Sequence, residues 1–180
     1  MKRCLLLSLC VVAASYNAHA TSPNPYSGQE AREIKAMSPE DIQSYLAGKG
    51  MGLAKAAELN GYPGPSHVLS LAPKLGLTSE QQELTKALFV SMETEAVNAG
   101  RLLVEEERKL DHLFATKQVT PVTLNASLAQ IGVLQAKVRA VHLDAHLEQV
   151  RILTPEQTAR YNELRGYSSP QPTPGQQHHH

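Results

Sequence analysis

The sequence predicts an all-α fold, and three observations carry it. Residues 79–115 contain no proline and one interior glycine, Gly100, and their apolar side chains (Leu84, Leu88, Met92, Ala99, Leu102, Leu110, Leu113) recur near the 3.6-residue helical period. Thr120-Pro121 then restarts a second run of the same kind, with a stripe of Leu124, Leu128, Ile131, Val138, His142 and Ala145. No segment shows the alternation of a strand. Two helices of about 30 to 37 residues joined by about five must fold back as a long antiparallel hairpin, each arm roughly 45–55 Å in length.

The elements follow in order. Residues 1–20 read as a secretory signal: Lys2 and Arg3 lead, an apolar run follows over residues 5–14, and Ala18-His19-Ala20 offers cleavage after Ala20. The apolar run is too short to span a bilayer. Leu9 before Cys10 stands where a lipoprotein signal needs a small residue. An exported chain beginning at Thr21 is expected, with the bacterial periplasm as its address and no membrane insertion of the mature chain.

Residues 21–63 are expected as a leader with short helices. Residues 21–30 are rich in Pro, Ser and Gly, and Ser38-Pro39-Glu40-Asp41 opens a short helix that Gly48 and Gly50 end. A second short helix is expected over 51–59, before the turn Asn60-Gly61-Tyr62-Pro63-Gly64-Pro65. Residues 64–167 hold the hairpin. Thr154 and Pro155 start its last helix, and Gly166 ends it. The Pro-, Gln- and Ser-rich residues 168–180 are expected to be a disordered tail, ending in His178, His179 and His180 as a candidate metal-collecting run.

Composition removes several function classes. Both cysteines, Cys4 and Cys10, fall in the signal, which leaves the exported chain without disulfides, thiolate ligands or a cysteine nucleophile. Seventeen basic residues balance seventeen acidic ones, and loss of Lys2 and Arg3 takes the chain to about −2. Such a balance favours neither nucleic acid nor an anionic membrane. There is no G-x-S-x-G, no glycine-rich phosphate loop and no H-E-x-x-H, since Leu143 follows His142. A non-enzyme is expected.

His142 and His146 are the residues that stand out. Four apart on a breaker-free run, they share one helix face, the spacing by which a helix offers two imidazoles to one metal ion. Folding the hairpin so that Leu113 meets Leu124 brings Glu95 opposite His142 and Met92 opposite His146. Glu95 on an apolar stripe needs a partner, and two misplaced polar groups facing each other suggest a site. A hydrogen-bonded pair in a half-buried seam gives the same pattern, so both readings stand here. Imidazoles, carboxylate and thioether together suit Zn, Cu, Ni or Co rather than Ca or Mg. His112, near the hairpin tip, is expected to be solvated. Glu106 is expected to reach solvent or pair with a basic residue.

Two copies of L-T-x-x-Q, at Leu77-Thr78-Ser79-Glu80-Gln81 and Leu153-Thr154-Pro155-Glu156-Gln157, flank the long hairpin behind an export signal. Over about residues 64–167 the chain thereby resembles the Spy/CpxP group of periplasmic proteins and its heavy-metal-resistance relatives, including the nickel/cobalt sensor CnrX. That resemblance implies a bowed dimeric cradle. Homodimer formation also follows from the hairpin's thinness, since a lone pair of helices buries its apolar stripe poorly. The related sensors carry histidines before the first motif, a glutamate on the following helix and an H-x-x-x-M pair before the second. By that resemblance Glu95 is the glutamate and His146 stands where a methionine would. Of the upstream pair only His67 is present, with Leu71 four residues on. The resemblance implies metal sensing or resistance, with a membrane-bound regulatory partner. Its alternative is ATP-independent chaperoning, with unfolded periplasmic clients.

Overall fold

The computed structural model describes residues 24–167, and among them every regular element is helical. A 3-10 turn at Gln29–Ala31 precedes seven helices: α1 (Pro39–Leu46), α2 (Lys55–Glu58), α3 (Pro65–Ser70), α4 (Ala72–Leu75), α5 (Ser79–Ala115), α6 (Pro121–Ile152) and α7 (Pro155–Arg165). The expected signal and the expected His-ending tail lie outside the described residues. Among the described residues, no helix is long and apolar enough to cross a membrane.

The long helices are 37 and 32 residues and start at reciprocal caps. Thr78 accepts from the Gln81 N–H while Gln81 reaches back to Thr78, and Thr120 and Thr123 exchange the same bonds. Thr154 and Gln157 cap α7 in the same way. The twin motifs also meet in space. Gln81 Nε2 donates to Gln157 Oε1 at 2.8 Å, Gln157 Nε2 returns the bond at 3.0 Å, and Gln81 Nε2 also reaches the Ile152 carbonyl. Their leucines, Leu77 and Leu153, sit in one core with Val68, Ala72, Leu75 and Tyr161. Two local signals are thus one tertiary lock, joining the start of α5 to the end of α6.

Helices α5 and α6 lie against each other along a seam of Ala99, Leu103, Ile131, Leu134 and Val138. They run antiparallel, since Thr85 meets Gln149 (3.2 Å) and Gln81 meets Ile152 while the other ends join at 116–120. The facing register is about one turn from the expected one. The inner stripe differs as well: Leu84, Leu102 and Leu128 are 50%, 46% and 50% exposed, while Ala96, Ala99, Gly100, Leu103 and Val104 are buried. The cause is the N-terminal segment, which packs on one side of the hairpin and takes Val104 into a core with Ile34, Met37 and Ile42. The contact turns on Gly100, because a Cβ there would come 2.3 Å from the Tyr45 carbonyl oxygen. Residues 32–37, on which sequence reading placed no element, are anchored by Asp111, which accepts from the Lys35 backbone N–H (2.9 Å) and pairs with its Nζ (3.1 Å).

Candidate metal centre

The N-terminal segment also roofs a cavity of about 580 Å³ over one end of the hairpin. His142 and His146 on α6, Met92 on α5 and His67 on α3 all line it, as does Met51 in the link between α1 and α2. Three of the four histidines among the described residues therefore border one space, with two of the three methionines. His112, the fourth, is exposed near the hairpin tip as expected, and Glu106 pairs with Lys109 at 3.1 Å.

The helix spacing delivers His142 and His146 to the same side, and both are buried, at 4% and 8% exposure. Each is differently held. His146 Nδ1 lies 2.7 Å from the Tyr62 carbonyl oxygen, which only accepts, so Nδ1 carries the proton and the neutral ring keeps its lone pair on Nε2. This is the arrangement by which a backbone carbonyl fixes the tautomer of a ligating imidazole. His142 Nε2 is buried and, among the described residues, has no hydrogen-bond partner. Burial, with the neighbouring His146 imidazole, lowers the pKa of His142, keeping the His142 ring neutral and able to bind a cation at neutral pH. His67, exposed at the edge of the cavity, is also lowered, by partial desolvation first and then by Arg165, against an opposing pull from Glu58.

Close backbone approach shapes the surroundings of one ring. Gly50 lies beside His142 with ordinary clearance, a Cβ there falling 3.8 Å from Nδ1. At Gly64 a Cβ would come 2.9 Å from His146 Cε1 and 3.0 Å from Nε2, so only glycine leaves that edge of the ring open.

Glu95 is not in the cavity. It lies on the exposed face of α5, its carboxylate 3.9 Å from Lys137 Nζ and within 3.5 Å of the Ser91 hydroxyl, and it does not face His142. The shifted register is the physical reason. Its place as the buried acid is taken by Glu58 of α2, which sequence reading passed over. Glu58 accepts from the Tyr161 hydroxyl and from the Gly64 N–H, and lies 3.3 Å from Arg165 Nε and 3.7 Å from His146 Nδ1. The same contact drives the Tyr161 hydroxyl far above its usual pKa, with burial the larger cause. Glu58 is thus committed to other protein groups. Among the described residues no three His, Cys, Asp or Glu side chains form a group able to hold a metal ion. What lines the cavity is a pair of buried imidazoles and two methionines.

Comparison with known proteins returns no match: no family model, no curated protein and no solved structure is significantly similar to the chain.

Proposed function

We propose that this is a periplasmic transition-metal-binding protein acting in metal sensing or resistance, with His142 and His146 as its principal ligands. The observation that carries the reading is the pair of buried imidazoles on one cavity. One has an unpartnered Nε2, and the other has its tautomer set by the Tyr62 carbonyl. A buried polar atom without a partner costs stability, on the order of 1–3 kcal/mol, and a bound cation removes that cost. Zn, Cu, Ni and Co all accept imidazole.

Binding has a route to the rest of the molecule. His146 is bonded to the turn that joins α2 to α3, and that turn's Gly64 is bonded to Glu58, which holds Tyr161 and Arg165 of α7. A ligand that moves the His146 ring pulls on α2 and α7 together, giving a membrane partner a changed surface to read.

Isothermal titration with Zn(II), Cu(II), Ni(II) and Co(II) tests the proposal. The protein for it carries His178→Ala, His179→Ala and His180→Ala, so that the tail contributes nothing. Saturable binding of one equivalent is expected, abolished in His142→Ala/His146→Ala. No saturable binding, or binding that persists in the double variant, overturns it.

Exposed apolar side chains support a second reading, an ATP-independent chaperone that holds unfolding clients. Leu84, Val90 and Leu102 on α5, and Val122, Leu128 and Val133 on α6, are all at least 46% exposed. Such side chains on long helices offer apolar contacts to a client. Suppression of aggregation of a denatured client by metal-free protein is its measurement, and inertness at stoichiometric excess rejects it.

A further inference from the structure

We infer that the cavity is built for a soft monovalent cation, cuprous copper, held by His142 and His146 with the thioethers of Met92 and Met51. The inference rests on the metal-binding reading above and names the ion. Three independent features of the cavity point the same way.

Donor number comes first. A structural zinc site takes four imidazole, thiolate or carboxylate ligands and a catalytic one three, and thioether sulfur is not among them. Only two imidazoles are buried here: His67 is exposed, and the three histidines do not form a metal-holding group. Glu58, 3.7 Å from His146 Nδ1, is taken by Tyr161, Gly64 and Arg165. A d10 cuprous ion is content with two or three donors, and thioether sulfur is among the ligands it prefers.

The second feature is where sulfur sits. Excluding Met1, the sequence has three methionines. Met37 is core, packed with Ile34, Ile42 and Val104, and the other two border the cavity. Met92 is half-buried on α5, and Met51 stands at the rim, 41% exposed. Met51 is presented by a strap of unusual backbone: Gly48 and Gly52 have φ of 61° and 77°, and Met51 itself has φ of 46°. A left-handed conformation is ordinary for glycine and costs a side-chain-bearing residue about 1 kcal/mol or more. A methionine held in that conformation, at the rim of the cavity that His142 and His146 line, is strain of the kind found at functional sites.

Charge is the third. The cavity's ionic lining is Lys49, Lys55 and Arg165 against Glu58 and Glu93, a small excess of positive charge. The four proposed donors are neutral, and the lining as a whole adds no net negative charge to offset a dication. The cost of desolvating an ion grows with the square of its charge, which makes a single positive charge far cheaper to bring in.

The test uses the full chain with Cys4→Ser, Cys10→Ser, His178→Ala, His179→Ala and His180→Ala, which removes the thiols and the tail imidazoles. Cu(I) is titrated anaerobically against a chromophoric cuprous chelator, with Ag(I) as its redox-inert counterpart and Zn(II) and Ni(II) as dications. One equivalent of Cu(I) is expected to bind at least about 100-fold more tightly than Zn(II), with Ag(I) following Cu(I). Met51→Leu and Met92→Leu preserve volume, and each is expected to weaken Cu(I) roughly 10-fold while leaving Zn(II) unchanged. X-ray absorption of the copper complex is expected to show sulfur scattering that the double methionine variant lacks. Equal or tighter Zn(II) binding, or Cu(I) affinity and sulfur scattering indifferent to both methionines, overturns the inference and leaves the histidine centre standing. Failure of every metal to bind, or binding that survives His142→Ala/His146→Ala, removes the centre itself.

Discussion

At the scale of single residues, the cavity is defined as much by missing side chains as by present ones. Gly64 has φ of −86°, a conformation any residue adopts, so an alanine there meets no backbone penalty. Its methyl group would instead press on the Cε1–Nε2 edge of His146 at 2.9–3.0 Å. Gly64→Ala is therefore first a probe of ring position, since Glu58 Oε2, the next neighbour, would lie at an ordinary 3.6 Å. It is expected to leave helicity intact and to weaken metal binding about 10-fold or more, as displacing an orienting contact does. Titration beside a circular dichroism spectrum checks it, and unaltered affinity would mean that Nε2 of His146 is not a ligand. The histidine pair was legible from its i, i+4 spacing, because helical geometry alone puts both rings on one face. Glu58 was not. Its partner Tyr161 is 103 residues away, and no local pattern distinguishes it from any other glutamate in a short helix.

Among the elements, helix starts were readable and helix facing was not. Thr78, Thr120 and Thr154 each bond to a residue three positions on, so the information that fixes each cap is contiguous in sequence. Which side of α5 is buried depends instead on α1, whose approach is set by Gly100, and periodicity in α5 cannot report that. Two glycines on the long helices separate the effects. At Gly132 nothing lies within 4 Å of a built Cβ, so Gly132→Ala is expected to stabilise by roughly 0.5–1 kcal/mol through helix propensity alone. Gly100→Ala gains the same propensity but drives a methyl group into the Tyr45 carbonyl, and overpacking of about 1–3 kcal/mol outweighs it. Urea unfolding of both variants is the measurement, and equal shifts in one direction would mean that α1 does not dock there.

The Lys35 anchor adds a pH dependence at the same scale. Burial works to raise the Asp111 pKa, but the Lys35 N–H, its ammonium and the nearby His112 outweigh it, so the carboxyl lies below its ordinary 3.8. A depressed carboxyl binds fewer protons folded than unfolded. Its contribution is therefore complete above about pH 3.8 and is lost as pH falls through the lower folded value. Asp111→Asn should be less stable than wild type at pH 7, with the difference closing at strongly acidic pH. Urea midpoints at the two pH values decide it, and a gap that persists in acid would assign the effect to packing instead.

For the molecule as a whole, the N-terminal segment accounts for one flank of the hairpin and leaves apolar side chains outside it. Leu84 and Leu102 are about five turns apart on α5 and so share a face, each about half exposed. Glu95 and Lys137 pair across the two helices instead of entering the core. Scattered exposed leucines are ordinary, but two aligned on a helix that already has its own covered side describe a surface suited to a second copy of the chain. A symmetric dimer through this face is expected to show as a sedimentation coefficient that rises with protein over a roughly hundredfold concentration range. Leu84→Glu with Leu102→Glu places two charges where apolar contact is required and should hold the protein monomeric, with its helicity unchanged because both side chains already face solvent in the monomer. A wild-type chain that sediments as a monomer throughout would free this face for clients, and metal affinity measured in the charged variant would then separate the cavity from the surface. The cavity lies beneath the α1–α2 link, so its affinity should not follow the oligomeric state.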